Sequence, residues 1–463
     1  MELDSALIDH PTSFVLSSWQ PQPAAAALVG KLLASFCQRS PDAAHLAEVL
    51  SHKTGTRLFD WVDHLAIPAG RRWEPRLEQA GFVAGEDCGD LVWRQPGGLL
   101  PPVIVHPHPQ WRLAAKVESV VAFLAAAGLD DEVRIEGDPC EQLRKARLSS
   151  TSDRQLWVVE RHGYRGWQRQ EAAAGKIRCV LEYQEAFARR KRFFADEEDG
   201  FAHAQRWIRE AVANLGAAWA ADLFFAAERE YWTRRNRAAQ VQKSRQDALG
   251  LGWGNHDHHT YRCSRRYFAR LIALLEELGL VCRERFYAGR EARWGAQVLE
   301  QPESGVVVFA DVDLSAEEVG GDFAHEGLPP REHFGTVGLW CLLHGEAFLQ
   351  PGLHHLECRF DFDAAREQFQ RAGVRVMKPF TDLPYLKQAF TEGEIWPVDP
   401  RRLELALAAH AISAADAEQF HRNGALGSHL EILQRDEGYK GFNPSGINDI
   451  IRDTDPRRAT AGA

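Results

Sequence analysis

The order of apolar segments between residues 256 and 310 constrains the fold of this chain most strongly. Residues 256–262 alternate as a strand does, residues 264–278 have the spacing of an amphipathic helix, and strand-like segments follow at 279–283, 294–299 and 306–310. The same strand–helix–strand order begins again at residue 353 and ends in a strand over 430–434. Two such units side by side predict an α+β domain with a cupped mixed sheet, whose first and last strands are adjacent.

A weaker copy of this order lies nearer the start of the chain. Residues 59–67, 81–83, 91–94 and 103–105 have the pattern of strands, with a short helix at 73–80 after the first. This βαβββ order resembles the half-barrel unit of the vicinal oxygen chelate superfamily. His64 lies in its first strand, but no equally clean histidine and carboxylate follow, so we interpret this copy as degenerate.

Length and charge exclude several classes of function. A chain of 463 residues predicts two or three domains. Its net charge of -10 argues against nucleic acid as a partner, and no apolar run approaches the roughly 18–20 residues of a membrane span. Without a signal-peptide pattern we expect a cytoplasmic protein. The eight cysteines form no Cys-x-x-Cys pair, so neither a disulfide framework nor a zinc ribbon is indicated. A homo-oligomer is left open.

Three residues in the predicted C-terminal cup have the chemistry of metal ligands. His258 lies in the first strand, His355 in the strand that opens the second unit, and Glu431 in the last strand. Two imidazoles and one carboxylate on one face of a metal leave positions open for substrate and O₂, as in non-haem Fe(II) oxygenases. The sequence therefore predicts a metal centre in this cup.

Two neighbouring histidines compete with these ligands. Alternation along the strand predicts that His256 shares a face with His258 and that His259 points the other way, so His256 is a rival ligand. His354 and His355 are expected to point in opposite directions, and the residues alone do not decide between them.

Short motifs extend the resemblance to two dioxygenase families. The run Leu-Glu-Ile-Leu-Gln-Arg at residues 430–435, followed by Gly-Phe-Asn at 441–443 and a predicted helix at 447–451, resembles the catalytic half of 4-hydroxyphenylpyruvate dioxygenase. The segments at 258–262, 354–356 and 431–435 are similar to the His-Gly-Ala-Ile-Arg, Asn-His-Leu and Glu-x-x-Gln-Arg motifs of the 2-oxoadipate dioxygenase/decarboxylase (hydroxyglutarate synthase) family. Both resemblances cover only residues 255–455.

These resemblances imply a site and a reaction. They make His258, His355 and Glu431 the Fe(II) ligands, and they prefer His355 over His354. Arg262 becomes the catalytic contact for the substrate carboxylate, since a guanidinium fork suits that group. The implied reaction is oxidative decarboxylation of a small-molecule 2-oxo acid, with hydroxylation of the rest of the same molecule by O₂.

Further substrate contacts and alternatives complete the prediction. Gln297, Gln434 and Phe442 are candidate substrate contacts, and residues 384–427 are expected to fold over the cup. One alternative is a glyoxalase-type isomerase or lyase that holds Mn, Co, Ni or Zn with Asp311 or Asp313 as a fourth ligand. Another is a non-catalytic binding protein on the same fold.

The predicted domain boundaries follow from these assignments. They are a helical leader at 1–55, the degenerate module at 56–110, a mixed α/β and then long-helix connecting region at 111–250, the catalytic metal-binding domain at 251–455, and a flexible tail at 456–463.

Overall fold

Two curved mixed sheets, one in each half of the chain, organise the protein. The computed structural model describes residues 14–15, 19–70, 72–87, 89–169, 174–289, 292–381, 383–443, 450 and 454–457. The helix predicted at 447–451 and most of the predicted tail lie outside these residues.

The first half begins with a two-residue strand that pairs with the second sheet, continues with two helices and then forms the first sheet. Its elements are β1 (Phe14–Val15), α1 (Pro23–Cys37), α2 (Pro41–Thr54), α3 (Leu58–Trp61), β2 (Val62–Pro68), α4 (Glu74–Gln79), β3 (Val83–Asp87), β4 (Asp90–Arg94), β5 (Val103–His106), β6 (Trp111–Lys116), α5 (Val120–Ala127), β7 (Ile135–Glu136), β8 (Leu143–Ser150) and β9 (Arg154–Arg161).

The strand order shows that this first sheet is larger than predicted. The order is β3-β4-β5-β2-β6-β9-β8-β7, so β6–β9 form a second βαβββ unit that pairs with the first through β2 and β6. The sheet therefore continues past residue 110, where the sequence suggested a boundary, and ends at Arg161.

Four helices connect the two sheets: α6 (Ala174–Ala188), α7 (Glu197–Leu215), α8 (Ala217–Thr233) and α9 (Arg237–Asp247). The helical pattern at 200–248 is interrupted twice. Gly216 has a φ of 86°, a left-handed value that ends α7. The side chain of Asn236 accepts from the backbone N–H of Ala239 and caps the start of α9.

The second half contains the other sheet. Its elements are β10 (His256–Arg262), α10 (Phe268–Glu277), β11 (Val281–Tyr287), β12 (Trp294–Glu300), β13 (Val307–Asp313), α11 (Thr336–His344), β14 (His355–Arg359), α12 (Phe362–Arg371), β15 (Leu386–Phe390), β16 (Glu394–Trp396), α13 (Pro400–Ala408), α14 (Ala414–Asn423) and β17 (Ala425–Arg435).

This sheet has the order β1-β11-β12-β13-β10-β14-β17-β15, with β16 also paired to β17. Its two units meet at the antiparallel pair β10 and β14, as those of the first sheet meet at β2 and β6. Two sheets, each built from paired βαβββ units, are consistent with tandem modules of the vicinal oxygen chelate fold. The strand predicted at 374–377 is reduced to one bridge between Val376 and Thr391.

The segment at 384–427 differs from its prediction. Its first part is β15, a strand of the sheet, and α13 and α14 pack with α11 around a separate apolar cluster that includes Leu339, Leu403 and Phe420. The segment therefore contributes a wall of the cup instead of covering it.

The strand β10 is buried on both faces. One face lines the cup. On the other, the Tyr261 hydroxyl donates to Glu228 of α8 (2.9 Å), and Glu228 also pairs with Arg190 (2.9 Å). Helix α8 thus contacts the back of the strand that carries His258. In the described part of the chain no helix is long and apolar enough to cross a membrane.

Candidate metal centre

Three neighbouring strands bring the predicted ligands together. His258 lies on β10, His355 on β14 and Glu431 on β17, and one donor atom from each lies within 4.8 Å of the others. The Nε2 atom of His355 is 3.3 Å from a carboxylate oxygen of Glu431. All three side chains are buried. The structure therefore places this sequence-predicted set around one point in the cup.

The prediction that His256 shares a face with His258 is wrong. A β-bulge lies between these two residues in the pairing of β10 with β14, and the extra residue reverses the direction of the side chains that precede it. The His256 ring lies 5.4 Å from that of His259 on the opposite face, and its Nδ1 is 2.8 Å from the carbonyl of Trp253. His256 does not line the cup cavity.

His354 does reach the cavity, because it precedes β14 and is not bound by the alternation of that strand. Its Nδ1 lies 3.1 Å from the carbonyl oxygen of Gly427. Together with His355 and His429 it forms a second group of donors within 4.8 Å of one another. His355 belongs to both groups.

Two residues that the sequence analysis missed complete the site. Glu357 lies opposite His258 on one side and opposite Glu431 on the other, and His429 lies opposite His355. An oxygen of Glu357 is 2.5 Å from Nε2 of His258. Glu357 lies two positions after His355, and His429 lies two positions before Glu431. Residues two positions apart on a strand share a face, so strand alternation in the sequence could have identified both.

A second layer of residues orients the ligands. The Asp257 carboxylate lies 3.3 Å from Nδ1 of His258 and accepts hydrogen bonds from Arg435 (3.1 Å) and Arg359 (2.7 Å). From β15, Gln388 donates to Glu431 at 2.9 Å. Partners of this kind fix ring orientation and ligand basicity in metal sites.

Burial controls the charge state of these groups. It lowers the pKa of His258 to about 4, against the opposing effect of Asp257, and it lowers the pKa of His355 as well. Burial also raises the pKa of Glu357, with a further contribution from nearby Glu431. The imidazoles are therefore neutral, and two carboxyl groups share a space that disfavours their negative charge.

These residues fit a divalent metal ion. Neutral imidazoles are competent ligands, and a cation would offset the cost of two buried carboxylates. Among the described residues, Nδ1 of His355 and both ring nitrogens of His429 are buried without a hydrogen-bond partner. Unsatisfied buried donors and acceptors are rare in folded proteins unless a ligand, ion or water uses them.

The cavity beside the ligands measures about 60 Å³, and among the described residues that line it Arg262 carries a positive charge. Arg262 is buried, and its Nε and Nη1 atoms have no hydrogen-bond partner in the part of the chain that the structure describes. Asp311 lines the same cavity, and burial raises its pKa to about 7 against the effect of Arg262. Asp313 instead accepts from the backbone N–H groups of Gly335 and Val337.

Most of the remaining wall is aromatic: Phe286, Trp294, Phe309, Phe380, Phe390 and Phe442. The Phe442 ring lies 5.3 Å from the His258 ring and 4.4 Å from that of Phe309. The predicted contact Phe442 therefore lies at the site.

The predicted contacts Gln297 and Gln434 do not line this cavity. Gln297 pairs with Ala310, between the cavity-lining Phe309 and Asp311, so alternation turns it to the other face. Its amide donates to the carbonyl of Glu284 at 2.9 Å. Gln434 accepts from the backbone N–H of Phe362, also at 2.9 Å. Both amides have structural partners instead of a position in the cup.

Comparisons with known proteins gave matches in structure only. The sequence matches no protein-family model and no curated protein. A 4-hydroxymandelate synthase variant from Streptomyces coelicolor is 12% identical, with a TM-score of 0.28 over 86% of this chain and 99% of its own. Homoprotocatechuate 2,3-dioxygenase from Brevibacterium fuscum, as a mutant, is 10% identical, with a TM-score of 0.18 over 84% and 75%. Methylmalonyl-CoA epimerase from Mycobacterium tuberculosis is 13% identical, with a TM-score of 0.23 over 39% and 88%.

Proposed function

We propose that the second half of the chain is an Fe(II)-dependent dioxygenase that acts on a 2-oxo acid. The observation that carries the proposal is the convergence of His258, His355 and Glu431 in a buried cavity that also contains Arg262. Two imidazoles and one carboxylate leave coordination positions for an organic substrate and O₂. A guanidinium in the same cavity supplies a partner for an organic acid.

The proposed reaction balances without another reductant. The 2-oxo acid loses CO₂, one oxygen atom of O₂ enters the new carboxylate, and the other becomes a hydroxyl group on the remainder of the molecule. Bound Fe(II) would supply the redox chemistry with O₂ and the positions that hold the keto-carboxylate. The chain supplies the ligands, the charge that orients the acid and the exclusion of water.

Arg262 orients the substrate. Its unpartnered Nε and Nη1 atoms are donors in a site shielded from water, where a charge-assisted hydrogen bond to a carboxylate is strong. Asp311 lines the same cavity and makes the largest charge contribution that favours the protonated Arg262 guanidinium. A bound substrate carboxylate would satisfy the donors that Asp311 leaves free.

The cavity also limits the substrate side chain. A space of about 60 Å³ with aromatic walls suits a short apolar group, and aromatic walls keep water from the reacting atoms. We therefore place short apolar 2-oxo acids ahead of long or charged ones.

The test is anaerobic loading with Fe(II), followed by O₂-uptake assays against 2-oxo acids of graded side-chain length. We expect CO₂ release and O₂ uptake in equal amounts with at least one short apolar acid, and neither in the Glu431→Ala variant. The exposed His333→Ala variant serves as the matched control. Absence of O₂ uptake with every acid, from protein shown to hold stoichiometric iron, would refute the proposal.

One observation favours a second candidate function, isomerisation by proton transfer. Asp311 lies in the cavity and has a pKa of about 7 because of burial, which suits a general base near neutral pH. If this second function is correct, we expect a substrate C–H proton to exchange with solvent in the absence of O₂ when the protein is loaded with Mn, Co, Ni or Zn. Loss of that exchange in Asp311→Asn, with metal still bound, separates it from oxidation.

A further inference from the structure

The cup of the first sheet contains its own cavity, of about 200 Å³. It lies at the position in the first sheet that the metal centre occupies in the second. The strand pairings allow the two cups to be compared residue by residue.

The first strand of each cup has the same local construction. A β-bulge precedes His64 in the pairing of β2 with β6, as one precedes His258 in the pairing of β10 with β14. Asp63 lies 2.6 Å from Nδ1 of His64 and accepts two hydrogen bonds from Arg161, at 2.6 and 3.0 Å. This group repeats the arrangement of Asp257 and Arg435 around His258.

The other two ligand positions have changed. Arg112 occupies the place of His355, since it pairs with Ala66 as His355 pairs with Thr260. Trp157 occupies the place of Glu431, because it pairs with Ala114 as Glu431 pairs with Glu357. Two positions that carry candidate metal ligands in the second cup thus carry a guanidinium, Arg112, and an indole, Trp157, in the first cup. His64 in the first cup corresponds to His258 in the second, so both cups keep this histidine.

Three donor atoms in this cavity have no acceptor within the described residues. His106 accepts from the backbone N–H of His108 through Nδ1, so its hydrogen is on Nε2. That Nε2 is buried and unpartnered, as are Nε of Arg112 and Nε1 of Trp167, within the described residues. His106 is 7% exposed. All three side chains line the cavity.

Of the three cationic side chains that line the cavity, Arg161 and Lys145 have ion-pair partners and Arg112 has none within the described residues. Arg161 is neutralised by Asp63, and Lys145 lies 3.4 Å from Glu136. Asp90 lines the cavity, but within the described residues no ion pair joins it to Arg112. Burial, with Arg112 as the next contribution, lowers the pKa of His106 to about 4. The His106 ring is therefore neutral near pH 7 and offers its Nε2–H as a donor.

We infer that the first cup binds a small organic carboxylate, with the acid group on Arg112, His106 and Trp167 and the organic body on the apolar wall. Trp157, Leu143 and Val159 supply that wall. Exposed His108 lies at the mouth of the cavity. The inference concerns a separate site and does not depend on iron in the second cup.

The experiment is isothermal titration calorimetry of the full chain with benzoate, benzamide and inorganic phosphate. We expect benzoate to bind, and benzamide, which lacks the charge, to bind at least tenfold more weakly. Arg112→Gln should weaken benzoate binding at least tenfold. The exposed Arg134→Gln variant should leave it unchanged, because that side chain lies outside the cavity.

Further variants separate the two cups. Benzoate binding should persist in Arg262→Gln, and binding lost there but kept in Arg112→Gln would overturn the inference. Equal binding by Arg112→Gln and the parent would also overturn it, as would binding of phosphate without benzoate. If Arg112→Gln fails to fold, His106→Phe, which keeps an aromatic ring but removes the donor, must show the same loss.

Discussion

Metal binding should stabilise the second sheet by an amount that depends on three side chains. The donor atoms of His258, His355 and Glu431 lie within 4.8 Å of one another, and they come from strands β10, β14 and β17, which are far apart in sequence. An ion held by all three ties these strands together in the folded state only. Binding to the folded state alone stabilises it by RT ln(1 + [L]/Kd).

The size of the effect follows from this relation. With free Co(II) at about 100 times its Kd the stabilisation is about 2.7 kcal/mol. For a domain of about 200 residues this corresponds to a rise of about 5–10 °C in the melting temperature. If the substitution of one ligand weakens Co(II) binding by roughly 100-fold, the same Co(II) concentration equals the Kd of the variant. The stabilisation is then only about 0.4 kcal/mol. The rise then falls to about 1 °C.

The assay is differential scanning fluorimetry with anaerobic Co(II), together with the Co(II) absorption spectrum. We expect the full rise in the parent and in His333→Ala, and almost none in His258→Ala or Glu431→Ala. His429→Ala distinguishes the rival donor group, because His429 belongs to that group only. An unchanged rise in Glu431→Ala with a lost rise in His429→Ala would refute the proposed ligand set.

Three further predictions concern neighbouring residues. Arg262→Gln should lower kcat/KM for a 2-oxo acid by about 100-fold, the equivalent of about 2.7 kcal/mol, while Co(II) affinity measured by absorption stays the same. Asp257→Asn should weaken Co(II) binding about 10- to 100-fold and destabilise the fold by about 3 kcal/mol in denaturant titrations, since it leaves a buried Arg435 without its charge partner. Burial lowers the pKa of His162, but hydrogen bonds to two carboxylates outweigh it and raise that pKa to about 10. Protonated His162 therefore stabilises the fold by about 2 kcal/mol below pH 6.5, and this contribution is lost as the pH rises through 10. The free energy of unfolding from urea titrations should show this decline in the parent and lack it in His162→Gln.

The periodic part of the fold could be predicted from sequence. The strand predicted at 256–262 is the observed β10, and the repeated units predicted the α+β class. These features depend on local alternation of apolar residues, which the sequence contains directly. The predicted adjacency of the first and last strands of this half is wrong, because β14 lies between β10 and β17.

Features set by long-range pairing could not be predicted in the same way. The bulge that turns His256 away from the cup depends on how β10 pairs with β14. Gln388 reaches Glu431 because β15 joins the sheet edge, and its segment was expected to lie over the cup. Neither register nor strand partner is encoded in a local window. The role of Glu357, in contrast, was available from alternation along β14.

The two cups share one strand construction but differ in the side chains at their centres. The supporting carboxylate and arginine remain around His64 although two of the three inner positions differ, so the outer frame tolerates opposite charge preferences at its centre. A change between the proposed cation site and the proposed anion site then requires few substitutions and no change of backbone. The change in the opposite direction requires equally few substitutions. A first cup carrying Arg112→His and Trp157→Glu would place two imidazoles and a carboxylate inside a frame that already orients one of them.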